Sequence, residues 1–415
     1  MTTKMKGWKT APLGELVKFA SGGTPSREVA RFWNGDTPWL SAKDLKKFRL
    51  SDSIEKVTQE GANHGTRLIG PGTVLILVRG MTLLKDVPVG VTERDVAFNQ
   101  DLKALIPNGK VDGYYLGFYL TANKTRLLSL VDQTGHGAGR LPSDLLQSFK
   151  IELPELQEQR KIADILLTWD RAIEQAEKLI TAKTLIKRGL MQQLPTGKKR
   201  FKGFAVEDGE HLAQRGAGPN DWEHLHIGDI AREVSSKNTN GKNLTVLSCT
   251  KHHGLVDSLK YFGKRVFSEN TGNYKVVKRG QFAYATNHIE EGSIGYQDLY
   301  DEALISPMYT VFETNGRVDD SFLYQLLKTE RYRHIFESNT SGSIDQRGGL
   351  RWKDFARIKV ALPSLPEQCR IASALDACDR ELDLLRQQLA AIERQNQGLM
   401  QKLLTEKIPM KQADV

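Results

Sequence analysis

Residues 153–159 read Leu-Pro-Glu-Leu-Gln-Glu-Gln, and residues 362–368 repeat this stretch as Leu-Pro-Ser-Leu-Pro-Glu-Gln. Residue 362 lies 209 positions after residue 153, and the same shift carries Gly-Leu-Met-Gln at 189–192 onto 398–401. Solenoid repeats have periods of about 20–50 residues, so a repeat of half the chain instead indicates two duplicated domains.

A long amphipathic helix is predicted after each copy of the repeated stretch. Apolar residues of the second copy are spaced by four and three in turn, which is the period of a coiled coil. These residues are Ile371, Leu375, Cys378, Leu382, Leu385, Leu389, Ile392, Leu399 and Leu403. Asn396 is a polar residue at position a of the heptad in that series, and Lys187 is its counterpart in the first copy. We therefore predict that Lys187 and Asn396 fix the register of the helix pair. The alternative is two ordinary amphipathic helices, each packed on its own domain.

Chain connectivity favours an antiparallel pair of helices. The first helix has roughly 37 residues, which corresponds to about 55 Å at 1.5 Å per residue. A parallel pair would require the intervening domain to return over that length, whereas connections in proteins are usually short. The predicted fold class is α+β, with two similar mixed α/β domains joined by a long antiparallel two-helix coiled coil in a pseudo-twofold internal repeat. The predicted segments are a first domain at 1–152, a first helix at 153–200, a linker at 201–214, a second domain at 215–361 and a second helix at 362–408.

Both domains are predicted to share one plan. Each has a buried central strand, further short strands, a helix and then a glycine-rich loop. In the first domain these are a strand at 73–78, a helix at 114–130 and a mobile loop at 134–140; in the second they are a strand at 281–284, a helix at 320–336 and a loop at 340–349. Scaffold positions agree between the copies while polar loop residues differ. We interpret the chain as one fold that presents two different recognition surfaces.

The composition favours a polyanionic partner. The 415 residues include 59 Lys and Arg against 50 Asp and Glu, which gives a net charge of +9. The chain has no apolar run of about 18 residues and no signal peptide at its start, which predicts a cytoplasmic protein without membrane contact. Its three cysteines form no CxxC pair, which argues against a disulfide framework or a zinc site.

Motifs for catalysis are absent from the sequence. It has no P-loop, no Asn-Pro-Pro-aromatic quartet for a flipped base and no HExxH zinc motif. The acidic pair and lysine of metal-dependent nucleases have a similar pattern here in Asp86 and Asp101-Leu102-Lys103, but the second domain has no counterpart in its sequence. We therefore predict no catalytic residue, no metal and no cofactor in this chain.

Polar residues in matched loops of the two domains are the remaining functional candidates. Base edges in DNA are read by side chains with donor and acceptor groups, which phosphate contacts hold in register. The predicted DNA-binding residues are Trp39, Ser41, Lys43, Arg79, Gln100, His136, Arg140, Thr250, Lys251, His252, Asn287, His288, Gln346 and Arg347.

Together these features resemble the specificity subunit of type I restriction-modification enzymes. The resemblance is carried by the duplicated Leu-Pro-x-Leu-x-Glu-Gln stretches, the Gly-Leu-Met-Gln helix ends and residues 22–26, 39–45 and 273–277, and it covers essentially the whole chain. It implies two target recognition domains, each of which reads one half of a bipartite, asymmetric DNA site. The helix pair would set the unread spacer between the halves.

The resemblance also implies partners. The helices would dock two modification subunits, which bind S-adenosylmethionine and methylate the N6 atom of adenine. These subunits would recruit restriction subunits that use ATP and Mg and translocate DNA, so the chain would be a non-catalytic member of the complex. Base contacts in this family follow no fixed motif, and the resemblance therefore transfers no single DNA-binding residue. A coiled-coil scaffold that binds protein and no specific DNA is the alternative.

Overall fold

A computed structural model describes residues 8–133, 137–204, 219, 221–340 and 349–404. The chain divides into two compact units, of which the first comprises Met1–Lys178 with Gln387–Val415 and the second comprises Leu179–Arg386. Each unit therefore contains one of the two predicted domains together with segments of both long helices. Most of the predicted linker and the end of the second predicted helix lie outside the described residues.

The first domain consists mainly of short strands. Its strands are β1 (Lys9–Pro12), β2 (Val17–Ser21), β3 (Trp33–Leu40), β4 (Arg49–Leu50), β5 (Glu55–Val57), β6 (Leu68–Ile69), β7 (Val74–Leu77), β8 (Arg79–Gly80), β9 (Val89–Thr92), β10 (Val96–Phe98), β11 (Leu102–Pro107), β12 (Asp132–Gln133), β13 (Gly139–Arg140) and β14 (Lys150–Leu153). Its helices are α1 (Gln59–Asn63), α2 (Gly113–Ala122), α3 (Lys124–Leu128) and α4 (Ser143–Ser148), and the long helix α5 (Leu156–Gln193) follows. The central sheet has the order β2-β11-β7-β9-β4, and a smaller sheet has the order β12-β13-β8.

Strand β7 is the centre of the first domain. All four of its residues are buried, as its apolar run without alternation predicts for a strand covered on both faces. The helix predicted at 114–130 is wrong as a single element, because the chain breaks at Asn123 into α2 and α3. The Asn123 side-chain amide donates to the carbonyl of Tyr119 at 2.9 Å, the local side-chain to backbone bond that ends helices.

The second domain repeats this plan with fewer strands. Its strands are β15 (Glu223–His226), β16 (Ala231–Val234), β17 (Leu247–Thr250), β18 (Gly254–Asp257), β19 (Lys275–Lys278), β20 (Phe282–Ala285), β21 (Ile294–Tyr296), β22 (Glu302–Ile305), β23 (Tyr309–Thr314) and β24 (Lys359–Leu362). Its helices are α6 (Ile227–Ile230), α7 (Ser258–Phe262), α8 (Asp320–Leu327), α9 (Glu330–Thr340) and α10 (Trp352–Phe355), and the long helix α11 (Leu365–Leu404) follows. The main sheet has the order β16-β23-β20-β21, so β20 takes the place of β7. The helix predicted at 320–336 is also two helices, α8 and α9.

The repeated stretch that opens each long helix ties the helix to its domain. The side-chain oxygen of Gln159 accepts from the backbone N–H of Asp112 at 2.9 Å, and Gln368 makes the same 2.9 Å bond with Asp319. Asp112 and Asp319 in turn cap the first turns of α2 and α8. Both glutamines are buried, which explains why the sequence repeats this residue.

The ends of each domain also meet beside its long helix. Strand β1 pairs antiparallel with β14, with Lys9 opposite Leu153, and β15 pairs with β24, with Glu223 opposite Leu362. The first and last strands of a domain are therefore neighbours, and the long helix begins directly after the last one.

Both long helices contribute to the core of each unit. In the first unit, Ile162 and Leu166 of α5 share the core with Leu403 and Leu404 of α11. In the second unit, Leu190 and Leu194 of α5 pack in the same core as Ile371 and Leu375 of α11. No helix in the described ranges is long and apolar enough to cross a membrane.

Polar residues on α5 meet acidic residues on α11 in the second unit. The amino group of Lys187 binds the Asp379 carboxylate, and Lys183 lies 2.6 Å from a carboxylate oxygen of Glu381. Because the number on α11 rises as the number on α5 falls, the helices are antiparallel in this unit. Asn396 has a buried side-chain oxygen without a partner within the described residues. The register role of Lys187 and Asn396 remains a prediction.

Candidate nucleic-acid interface

The end of strand β7 leads into two exposed arginines that lie side by side. Strand β8 pairs with β13 so that Arg79 is directly opposite Arg140. Like charges in directly opposite positions are destabilising, because the Cβ atoms are only about 5 Å apart. Among the residues that the structure describes, neither guanidinium has an ion-pair partner, although Asp132 faces Arg140 from β12. The pair is thus a surface feature that an anionic partner would stabilise.

Two glycines allow this close pairing of strands. A Cβ atom on Gly139 would lie 2.7 Å from the Cβ atom of Leu83, and Gly80 has a φ of 137°, which favours glycine. The prediction of a mobile loop over 134–140 is therefore wrong for Gly139 and Arg140, which form a strand. His136 lies outside the described residues.

Gln100 lies at the same end of the central sheet. The backbone N–H of Val78 donates to the carbonyl of Asp101 at 2.8 Å, which brings the residues after β7 beside those before β11. The side-chain oxygen of Gln100 accepts from the Thr24 hydroxyl at 2.7 Å. We call Arg79, Gln100 and Arg140 the domain 1 edge.

The three predicted DNA-binding residues between Trp39 and Lys43 differ in exposure and do not form one surface. Trp39 is only 4% exposed, and its indole N–H donates to the carbonyl of Gly23 at 3.0 Å. Its predicted contact with DNA is corrected accordingly, because burial gives the ring a packing role. The Ser41 hydroxyl donates to the Asp44 carboxylate at 2.8 Å, while Lys43 is exposed.

The second domain forms the corresponding edge with different side chains. The backbone N–H of Leu350 donates to the carbonyl of Thr286 at 2.9 Å. The backbone N–H of Leu141 makes the matching 2.9 Å bond to the carbonyl of Val78 in the first domain. Asn287 follows directly and is exposed. It is therefore at the position that Arg79 has in the first domain.

Exposed residues of two further segments complete this surface. The turn between β17 and β18 exposes Lys251 and His252, and the Thr250 hydroxyl closes the turn by donating to Gly254 at 3.1 Å and accepting from the N–H of His253 at 3.1 Å. Thr250, the last residue of β17, thus holds the turn in place, and its contact with DNA stays a prediction. We define the domain 2 edge as Lys251, His252, Asn287, His288 and Met308; Gln346 and Arg347 lie outside the described residues.

Met308 was not predicted from the sequence. Its side chain is 61% exposed, and its carbonyl accepts from the Thr286 hydroxyl at 3.0 Å. Tyr309 pairs with Ala285 as Leu102 pairs with Leu77, so Met308 lies where the first domain has Asp101, one residue after Gln100. A methionine gives no local signal of exposure. Only the alignment of the two domains identifies the position.

The two edges offer different groups at the same end of the central strand of each domain. Arginine can form paired hydrogen bonds to guanine, asparagine can do so to adenine, and apolar side chains contact the thymine methyl group. The domain 1 edge has two arginines and a glutamine, whereas the domain 2 edge has asparagine, histidine, lysine and methionine. The arrangement suits recognition of two different base sequences.

Acidic residues near the edges do not form the nuclease-like set. Asp86 binds Lys124 at 3.0 Å, and Asp101 is hydrogen bonded to Asn99. Within the described ranges, one group has side chains close enough to hold a metal ion, namely His288, Glu290 and Glu291. Two of its three members are exposed, and exposed clusters of acidic side chains are common in proteins without a bound ion.

Comparison with known proteins gives consistent matches. A type I restriction enzyme specificity subunit from Escherichia coli is 32% identical over 199 residues, which cover 48% of this chain and 46% of that relative. A specificity subunit from Methanocaldococcus jannaschii is 25% identical over 426 residues and covers 97% of this chain and 93% of its own. The crystal structure of a type I restriction-modification system S subunit from M. genitalium has the same fold, with a TM-score of 0.58, 15% identity and coverage of 98% and 99% of the two chains.

A family model described as the type I restriction modification DNA specificity domain matches residues 5–183 and again residues 219–394. The two matches take up most of the chain and correspond to its two repeats. The chain therefore belongs to the type I restriction-modification DNA specificity family and carries two copies of its DNA specificity domain.

Proposed function

We propose that this chain is the DNA-recognition subunit of a type I restriction-modification complex in the cytoplasm, in which each domain reads one half of a bipartite, asymmetric site. The observation that carries the proposal is the matched pair of edges. Both lie at the same end of the central strand of their domain, yet they differ in nearly every side chain. A duplicated scaffold with different polar side chains is expected of a protein that reads two different sequences.

The domain 1 edge is suited to a polyanion. Arg79 and Arg140 are exposed and adjacent, and their mutual repulsion is relieved when a phosphate or a guanine edge lies between them. Phosphate contacts release counterions, so affinity falls with salt at a slope of about 0.9 per contact.

The long helices are proposed to set the spacer between the half-sites. In support, Arg49 of the first domain binds α5 through Asp170, at 2.7 Å, and through Glu174. In the second unit, Ser321 of α8 donates to Asp376 of α11 at 3.0 Å. Each domain is thus attached to a long helix by side-chain contacts in addition to the backbone.

The helices are also proposed to dock two modification subunits. Apolar side chains on the second-unit part of the helices support this assignment, since Leu185, Ile186 and Leu384 are all more than half exposed. S-adenosylmethionine would bind to the modification subunits, and ATP with Mg to the restriction subunits that they recruit. The chain itself would contribute no catalytic group to DNA adenine-N6 methylation or cleavage. A protein-binding scaffold without specific DNA binding is not favoured, because both halves match the DNA specificity model.

Selection from a random duplex pool tests the proposal. The full chain, assembled with its modification subunits, is expected to enrich a split site with a constant gap. The variant with Arg79→Gln and Arg140→Gln should bind the selected duplex at least tenfold more weakly, lose preference in one half-site only and lower the salt slope by about two.

Arg94→Gln is the matched control for this variant. Arg94 is exposed and follows β9, at the opposite end of β7 from Arg79, because Val74 at the start of β7 pairs with Val91. It should leave base preference in both half-sites unchanged. If the wild-type complex enriches no split site at any salt concentration, the proposed function is wrong.

A further inference from the structure

Lys328 connects the two segments that form the domain 2 edge. It follows α8, and its amino group donates to the carbonyl of Lys251 at 2.7 Å and to the carbonyl of Gly292 at 2.8 Å. The first carbonyl is in the β17–β18 turn next to His252. The second closes the short segment that begins with Asn287 and His288. One side chain therefore fixes the separation of two loops that are far apart in sequence.

Neighbours of Lys328 on α8 and α9 support the same two loops. A Cβ atom on Gly254, which ends the β17–β18 turn, would lie 2.6 Å from the Tyr324 hydroxyl. The Arg333 guanidinium donates to the carbonyl of Glu290 at 3.4 Å. Three side chains, one on α8, one directly after it and one on α9, thus contact these two loops, and Lys328 is the one that bonds to both.

The bonds of Lys328 involve no carboxylate among the residues that the structure describes. Within the described part of the chain its amino group forms no ion pair, and its bonds go to two neutral carbonyl groups. Burial lowers the pKa of Lys328 to about 8, and the nearby charges of Arg333 and Lys187 add to this effect, while Cys249 opposes it. The face of the Tyr324 ring, with its centroid 6.0 Å away, is a further weak partner of the amino group. A poorly solvated charge that is held by two carbonyl groups and an aromatic ring is a costly way to hold a fold together, which points to a requirement of the loops themselves.

We propose that Lys328 is a positioning residue for sequence recognition by the second domain, which sets the distance between the loop of Lys251 and His252 and the loop of Asn287 and His288. This inference rests on the proposed function, since it assumes that the domain 2 edge reads DNA. Base-reading side chains must be held to within a fraction of an ångström to discriminate between bases. Loss of the bridge is therefore expected to reduce discrimination more than affinity.

The test compares Lys328→Met with the wild type in the duplex selection, using the full chain in its modification complex. Methionine retains most of the length of the lysine side chain but donates no hydrogen bond. At one or more positions of the domain 2 half-site, the ratio of the preferred base to the next is expected to fall at least tenfold. The half-site read by the first domain is an internal control and should keep its preferences. The slope of log affinity against log salt should not change.

Two further variants complete the design. Lys278→Met removes an exposed lysine before β20, at the opposite end of that strand from Asn287, and should change neither half-site. Lys328→Arg retains donors and should recover part of the discrimination, which also keeps the test valid if the methionine variant fails to fold.

Different results would overturn the inference for different reasons. A salt slope that falls by about one with base preferences unchanged means that Lys328 contacts a phosphate. An equal loss in both half-sites, together with a lower melting temperature, means that its role is only structural. Both the inference and the proposed function fail if the wild-type complex enriches no split site, whereas the inference alone fails if the wild type does so and Lys328→Met has the same preferences.

Discussion

Substitution Arg49→Met is predicted to loosen the first domain from helix α5. The Arg49 side chain is 15% exposed and contacts three carboxylates, Asp170 at 2.7 Å, Glu93 at 3.2 Å and Glu174. Its burial opposes the charge, but the hydrogen bonds with Asp170 and Glu93 raise the pKa of Arg49 above its ordinary value. The variant leaves these three acids together without their shared cation.

The size of the effect follows from the exposure of the acids. Hydrogen bonds to charged groups contribute about 1.5–3 kcal/mol each when buried. Here the acids are 24–29% exposed, and solvent screens such pairs. We therefore expect about 1 kcal/mol for each contact and about 3 kcal/mol in all, which is on the order of a hundredfold in the local opening equilibrium.

Amide hydrogen exchange measures this opening directly. The N–H of Val91 bonds to Phe48, and the N–H of Glu93 bonds to Leu50, so both amides report on the strand that carries Arg49. Their exchange should accelerate by on the order of a hundredfold in Arg49→Met. The control is Lys47→Met, because Lys47 is 64% exposed and lies 3.7 Å from Glu174. Exchange in Arg49→Met within about threefold of this control would refute the reasoning.

Three further predictions concern single side chains. Asn396→Leu should stabilise helix α11 by about 1 kcal/mol and raise the melting temperature, because the buried Asn396 oxygen has no partner among the residues that the structure describes. The variant should also make the number of base pairs between the selected half-sites less constant. A lower melting temperature would contradict this prediction. Gly139→Ala should weaken binding of the domain 1 half-site at least tenfold in a mobility-shift assay, because the new Cβ atom would lie 2.7 Å from the Cβ atom of Leu83. Gly189→Ala is the control, because Gly189 has open space around it, and this variant should bind as the wild type does. Equal binding by the two variants would exclude the steric argument. Burial lowers the pKa of Lys328 from 10.5 to about 8, so between these pH values the unfolded chain binds more protons than the folded chain. The free energy of urea unfolding should therefore rise from pH 8 to pH 10.5 in the wild type, and rise less in Lys328→Met. Parallel pH profiles of the two proteins would speak against a buried charge at this position.

The long helices could be predicted from the sequence because their signal is local and repeated. The predicted helices at 153–200 and 362–408 compare with Leu156–Gln193 and Leu365–Leu404. The buried strand β7 was equally clear from its apolar run. In contrast, the breaks at Asn123 and Lys328 are accompanied by local bonds from side chains to backbone carbonyls, which an apolar pattern does not contain. The Asn123 amide donates to the carbonyl of Tyr119, and the Thr329 hydroxyl donates to the carbonyl of Leu326 at 2.8 Å.

The candidate interface was predicted only in part, because tertiary contacts assemble it. Arg79 and Arg140 were both identified as loop residues, but no local pattern indicates that they are directly opposite each other. Trp39 was predicted to contact DNA, whereas the Gly23 carbonyl and the surrounding core enclose its ring, a tertiary arrangement that the local sequence does not indicate. Lys328 gave no signal at all, since its two partners are backbone carbonyls.

The pairing of β1 with β14 and of β15 with β24 has a consequence for how such a protein can change. The chain enters and leaves each domain at adjacent strands, and the attachment to the long helix is made at that same point by Gln159 or Gln368. A whole domain can therefore be exchanged for another through two neighbouring junctions, as an insert between fixed ends. An exchange of this kind would alter one half of the recognised sequence while the helices, and hence the gap between the halves, stayed as they were.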